Sequence, residues 1–137
     1  MKTLPGGTVY DLSIHLVLVT KYRKRVIIGW VMTRLKEILE TTCSKWDCEL
    51  IEFNGETDHV HLLIEINPKA QISTLANNLK TVSSRLIRKE FPELNEKFCG
   101  KPVFWKIGYF VSSTGGANLE TVKKYIQHQD SGKGTTP

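Results

Sequence analysis

Three cysteines in 137 residues, Cys43, Cys48 and Cys99, are odd in number and lack Cys-x-x-Cys spacing, which argues against a disulfide framework or a zinc knuckle. Free thiols are expected. The chain also has no apolar run near the ~18–20 residues that a membrane span requires, and its opening MKTLPGG lacks the apolar segment of a signal peptide. A cytoplasmic protein with no membrane partner is expected. Acidic residues are the minority: 14 Asp and Glu against 19 Lys and Arg leave a net charge of +5 and a pI near 9.2, a balance that suits a polyanionic partner. No repeat interrupts the sequence, and its length with 40% hydrophobic residues fits one domain over 1–137, with 1–8 and 131–137 expected to be flexible.

What is present is an ordered succession of periodic segments. LSIHLVLVT, Leu12 to Thr20, is β-branched and apolar and reads as a central strand running into the basic loop KYRKR. From Val31 to Trp46 the apolar positions Val31, Leu35, Ile38, Leu39 and Thr42 keep helical spacing. CELIEFN then reads as a strand, and NGETD as a turn into the strand HVHLLIE. Beyond Pro68, a stripe of Ile72, Leu75, Leu79, Val82 and Leu86 predicts a helix to about Phe91. VFWKIGYFVSS, Val103 to Ser113, has the content of a strand bent at Gly108. TGGAN precedes a last helix, LETVKKYIQHQ, with Asn118 as its N-cap. Strand–helix–strand–strand–helix–strand–helix is a split βαβ order, which predicts an α+β fold: a ferredoxin-like antiparallel sheet with helices on one face, plus a C-terminal helix.

Two histidines of the four, His59 and His61, lie one residue apart on a strand, so they share a face with Leu63 and Glu65 while Val60, Leu62 and Ile64 face the core. Their Cα atoms are then roughly 6.5–7 Å apart, close enough to converge on one ion or phosphate, although a structural pair explains them equally simply. Tyr125 and Gln129, four residues apart, share a face of the last helix. If that face meets the histidine strand, two imidazoles and an amide oxygen surround a divalent cation, with no carboxylate unless Asp58 or Glu65 helps and with a DNA phosphate able to complete the set. Tyr125 is then the candidate nucleophile. A phenol is only ~0.1% ionised at pH 7, so it needs a base for its proton and a cation at the phosphorus. His15 is read as structural, though the first strand can bring it near the same site, and His128 as facing solvent. Phe104, Trp105, Tyr109 and Phe110 are read as core aromatics, with base stacking as the functional alternative.

HLVLVTKYRKRVI, DHVHLLIEINPKAQIS, LKTVSSRLIRKEFPEL, FWKIGYFVSSTGG and ETVKKYIQHQ occur in this order between residues 9 and 130. Together they resemble the single-tyrosine HUH transposases of the insertion-sequence 200/605 family. The resemblance implies that His59, His61 and Gln129 hold Mg²⁺ or Mn²⁺ and that Tyr125 cleaves and rejoins single-stranded DNA through a 5′-phosphotyrosine. It implies hairpin-marked element ends as substrate and a homodimer whose active site draws on both subunits, with Gly115 and Gly116 in a hinge over 114–118 that carries the tyrosine helix. Lys21, Arg23, Lys24, Arg25, Lys80, Arg85 and Arg88 become candidate DNA contacts. The alternatives are a host-adopted palindrome-processing relative, another HUH nickase, or a non-catalytic ferredoxin-like module that binds nucleic acid.

Overall fold

The structure, a computed structural model, describes residues 1–113 and 123–127. The hinge glycines Gly115 and Gly116, Asn118, His128, Gln129 and the tail from 131 lie outside the described residues.

Two short strands, β1 (Lys2–Thr3) and β2 (Val9–Tyr10), pair antiparallel in a ribbon, and the Lys2 ammonium reaches the Glu49 carboxylate at 2.7 Å. The main elements follow as β3 (Ser13–Val19), α1 (Trp30–Lys45), β4 (Glu49–Glu56), β5 (His59–Glu65), α2 (Ile72–Glu90) and β6 (Phe110–Ser113). One four-stranded antiparallel sheet has the order β4-β5-β3-β6. Counted within that sheet alone, the order is second, third, first, fourth: the expected ferredoxin-like arrangement. It sets β3 and β5 side by side at the centre, in register from Ser13 opposite Glu65 to Val19 opposite His59.

Alternation along these two strands separates the layers. Leu16, Leu18, Val60, Leu62 and Ile64 are fully buried in the main core, which also takes in Leu35 and Leu39 of α1 and Leu75, Leu79 and Ile87 of α2. Each such side chain contributes about 1.5–3 kcal/mol relative to exposure, so this face supplies the stability. The helices are also joined to each other, by Trp46 Nε1 donating to Asn78 Oδ1 at 3.0 Å and by Arg34 on Glu90 at 2.7 Å.

Three expectations need correction. The turn between β4 and β5 is Thr57–Asp58 alone, because Asn54, Gly55 and Glu56 stay paired with His61, Val60 and His59. Gly55 permits this close approach: a Cβ there would stand 3.1 Å from the His59 carbonyl and from the Met32 side chain. The buried stripe of α2 is rotated toward Ala76, Ser83 and Ile87, leaving Val82 and Leu86 half-buried at its flank. Finally, the strand expected over 103–113 is paired as a strand only from Phe110. Phe104 and Trp105 turn into the core instead, edge to face at 4.7 Å, and Trp105 Nε1 donates to Ser83 Oγ at 2.9 Å. Trp105 keeps a single bridge to Thr20, and Gly108, at φ 88°, breaks the extended run.

Candidate active site

The other face of the sheet carries the polar chemistry. His15, Val17 and Val19 of β3, His59 and His61 of β5 and Phe110 of β6 share it, by strand alternation and by the register of the pairs. Residues 123–127 are helical and cover part of it: Ile126 is buried against Val17 and Val19, and Tyr125 packs on Phe110 with ring centroids 5.6 Å apart. The tyrosine segment and the histidine pair therefore occupy one face, as expected. Val17 stands between His61 and Phe110 in a single cross-strand row, so the Phe110 on which Tyr125 packs is two strand spacings from His61, about 9–10 Å between Cα atoms. The Tyr125 hydroxyl is buried there with no hydrogen-bond partner among the described residues, and burial raises its pKa above the ordinary 10. Lys106 Nζ lies 5.7 Å from the centre of the same ring. In this seat the phenol is held away from ionisation.

His59 is oriented by its neighbour. Its Nδ1 lies 2.9 Å from Asp58 Oδ1, while Asp58 Oδ2 accepts from Arg23 Nε at 2.9 Å. Burial works against charge on Asp58, but the bonds from His59 and Arg23 outweigh it and hold the carboxyl below its ordinary pKa of 3.8. With Nδ1 so engaged, Nε2 is the nitrogen left to a ligand. The basic loop is fastened to the same turn, since Thr20 N–H donates to the Asp58 carbonyl at 3.0 Å and Ile27 N–H to Thr57 at 2.9 Å. The left-handed residues Tyr22 and Arg23, at φ 60° and 51°, aim Arg23 at the carboxylate. A cleft of about 320 Å³ opens here, lined by Arg23, Arg25, Asp58 and His59 and, from the helical segment, by Lys123 and Gln127.

Neither carboxylate considered from the sequence is free to act as a ligand. Both Asp58 oxygens are engaged, and buried Glu65 lies further along β5, 3.7 Å from both the Met1 amine and Lys2 Nζ. His61 turns instead to His15, whose Nδ1 is 2.8 Å from His61 Nε2. Burial and then the His15 neighbour lower the His61 pKa, which favours the neutral imidazole that metals require. Two imidazoles on one sheet face are a donor set that suits a divalent metal. Among the described residues, no three His, Cys, Asp or Glu side chains are gathered closely enough to hold an ion.

A family model described as "Transposase IS200 like" matches residues 8–129. The chain belongs to this family. It is 33% identical over 123 residues to the ISDra2 transposase TnpA of Deinococcus radiodurans, covering 90% of this chain and 87% of that one. It is 32% identical over 122 residues to the transposase for insertion sequence element IS200 of Salmonella typhimurium, covering 89% and 79%. Among solved structures, a Deinococcus radiodurans R1 protein described as a candidate transposase superposes with a TM-score of 0.86 at 32% identity, over 94% of this chain and 98% of the other. A REP-associated tyrosine transposase bound to a REP hairpin shares the fold, with a TM-score of 0.56 at 9% identity over 92% and 68%.

In this member of the IS200-like family the basic residues divide into two places. Arg23 and Arg25 border the His59 cleft, and Lys24 is exposed beside them. Lys80 and Arg88 border a separate groove of about 260 Å³ with Pro102 and Trp105, and Arg85 is exposed on the same helix. Burial, then Lys106 and Lys21, lower the Lys80 pKa, so positive charge is concentrated where α2 meets the Trp105 segment. Sequence reasoning left out Lys106 and left the task of Asp58 open; the adjacency of Asp58 to His59 was the available signal for its orienting contact. No described helix is long and apolar enough to cross a membrane.

Proposed function

We propose that this transposase-family protein cleaves and rejoins single-stranded DNA at hairpin-marked element ends. Tyr125 is the nucleophile, and His59, His61 and Gln129 hold Mg²⁺ or Mn²⁺. The observation that carries the reading is the shared face: two imidazoles, one fixed by a buried carboxylate, lie on the sheet face against which the helical segment bearing Tyr125 packs. Attack by Tyr125 Oη on a phosphodiester forms an O–P bond, breaks the bond to the 3′ oxygen, and leaves a 5′-phosphotyrosine and a free 3′ hydroxyl. The phenolic proton passes to a base, and the departing 3′ oxygen takes up a proton from water. The bound cation supplies charge that polarises the phosphodiester. Because the phosphotyrosine keeps a phosphodiester bond, a second 3′ hydroxyl can reverse the step without ATP.

The working form is a homodimer in which the tyrosine helix of one subunit serves the histidines of the other. The Tyr125 hydroxyl supports this, since its seat on Phe110 offers it no hydrogen bond among the described residues. Lys21, Arg23, Lys24, Arg25, Lys80, Arg85 and Arg88 contribute to the DNA surface, with Arg23 acting also through Asp58. The test is incubation with Mn²⁺ and single-stranded DNA carrying an element-end hairpin. A protein–DNA adduct that survives denaturation is expected, and its absence with every end sequence would favour a non-catalytic nucleic-acid-binding module.

A further inference from the structure

We propose that Cys43 and Cys48 are a redox-convertible pair, which peroxide oxidises in the folded chain to one intramolecular disulfide that clasps the end of α1 to the start of β4. The inference is independent of the nucleic-acid chemistry above and concerns the helix-covered layer. At the end of α1, Asp47 N–H donates to the Ser44 carbonyl and Cys48 N–H to the Cys43 carbonyl, both at 3.0 Å, with Asp47 left-handed at φ 56°. This double closure satisfies the last helical carbonyls, and the residues joined by its longer bond commonly meet through their side chains. Those residues are the two cysteines. The bond also limits their separation. Even a straight path from one Cα through its carbonyl oxygen and the 3.0 Å bond to the other Cα is only about 6.9 Å long. A disulfide joins Cα atoms roughly 4.4–6.8 Å apart, and any bend in that path brings the pair further inside the range. Both side chains belong to the main apolar core, so they lie on the same side of the turn.

Both thiols are free, with Cys43 wholly buried and Cys48 6% exposed. Burial, then the neighbouring Cys48, pushes the Cys43 thiol up to about 12. Burial also raises Cys48, against a backbone hydrogen bond from Asn67 that lowers it. Cys48 is therefore the sulfur that peroxide meets first. Its thiolate attacks one oxygen of hydrogen peroxide and the O–O bond breaks. A sulfenic acid remains, and the departing hydroxide takes the proton that Cys48 released and leaves as water. The Cys48 sulfur then gives up its weak bond to the Trp46 carbonyl, at 3.4 Å, and turns to Cys43. The Cys43 sulfur attacks it, an S–S bond forms, and the expelled hydroxide leaves with the Cys43 proton as a second water. Two thiols are oxidised and one peroxide is reduced to two waters.

The test uses the full chain carrying Cys99→Ser, which removes the exposed third thiol. The folded protein is treated with hydrogen peroxide, alkylated and digested with trypsin. The intact chain should lose about 2 Da and keep no alkylatable thiol. Lys45 lies between the two cysteines, so peptides 37–45 and 46–69 should be joined by a crosslink that dithiothreitol removes. Because the bond closes a loop in the unfolded chain, the oxidised protein should melt several degrees above the reduced one. Two alkylatable thiols after treatment, or gains of about 16 and 32 Da at Cys48 without a crosslink, would overturn the proposal. A crosslink that forms only in denaturant, or one that leaves the melting temperature unchanged or lowered, would do the same. Cys43→Ser on this background removes the second sulfur, and Cys48 should then gain oxygen in place of the crosslink. The peptide map of the intact pair decides the matter even if that variant fails to fold.

Discussion

The two faces of the sheet are made by the same strands, yet they differ in kind. Toward α1 and α2, Leu16, Leu18, Val60, Leu62 and Ile64 are sealed in an apolar core. Toward the helical segment 123–127, the intervening positions are His15, Val17, Val19, His59 and His61, and only Val17 and Val19 join a small core, with Ile126. A change of one residue in parity moves a side chain from the structural layer to the chemical one. The fold can therefore hold imidazoles in fixed positions while leaving them a polar surround, because the opposite face of each strand anchors it.

Tyr125→Phe should break that comparison most visibly. Loss of the hydroxyl is expected to reduce the covalent DNA adduct to background on a denaturing gel, yet stability should hold or rise slightly, since a buried hydroxyl without a partner costs about 1–3 kcal/mol. A persistent adduct would mean another nucleophile. Leu62→Ala is the reverse case: it should lower unfolding stability by about 2–5 kcal/mol in denaturant titration, while residual folded protein keeps its adduct yield. A loss under about 1 kcal/mol would show that the helix-packed face is looser than its burial indicates.

The division into faces was legible in the sequence because period-two alternation around His59 and His61 survives any uncertainty about strand ends. Strand order was legible for a similar reason, as the split βαβ succession admits few topologies. Phe104 and Trp105 were legible as core aromatics, but the extent of their strand was not, because aromatic and β-branched residues suit a sheet and a core plug equally; the Trp105–Ser83 bond and the break at Gly108 decide between them. The nearness of His15 to the site followed from the same strand order, but its direct contact with His61 did not, because that depends on the register of β3 on β5 and on the two ring orientations. The task of Asp58 stayed open in the sequence because a carboxylate beside a histidine can ligate a metal or orient the ring; its contacts with His59 and Arg23 show the orienting one. Gln129 and the hinge over 114–118 lie outside the described residues.

Asp58→Asn sharpens the comparison by weakening one imidazole of the chemical face without touching the apolar one. The His59 ring loses its charged partner, so Mn²⁺ affinity should fall about 10–100-fold in calorimetry. The variant should also lose a pH effect. Because the folded Asp58 pKa lies below the ordinary 3.8, the unfolded chain takes up this proton first; the carboxylate's contribution is present above about pH 3.8 and fades as pH falls through the lower folded value. Acid melts of wild type should carry that extra loss and those of the variant should not. Identical acid profiles would mean that the Arg23–Asp58–His59 chain contributes nothing to stability.

The smallest expected effect probes whether the helix layer is purely structural. Lys80 lies on α2, behind the sheet relative to the helical segment 123–127, yet it borders a groove with Arg88 and Trp105 and shares its surroundings with Lys21 and Lys106. If one DNA phosphate sits there, Lys80→Gln should weaken hairpin binding modestly and reduce the slope of log affinity against log salt by about 0.7, the release expected for one phosphate of a single strand. Stability should change little, because the hydrogen bond from Lys80 Nζ to the Gly108 carbonyl, at 3.0 Å, is exposed. An unchanged slope with a lowered melting temperature would make Lys80 a strut for the Gly108 turn and confine DNA contact to other basic residues. A reduced slope extends the binding surface around the edge of the sheet, so that the strands' apolar side ends where α2 begins to meet phosphate.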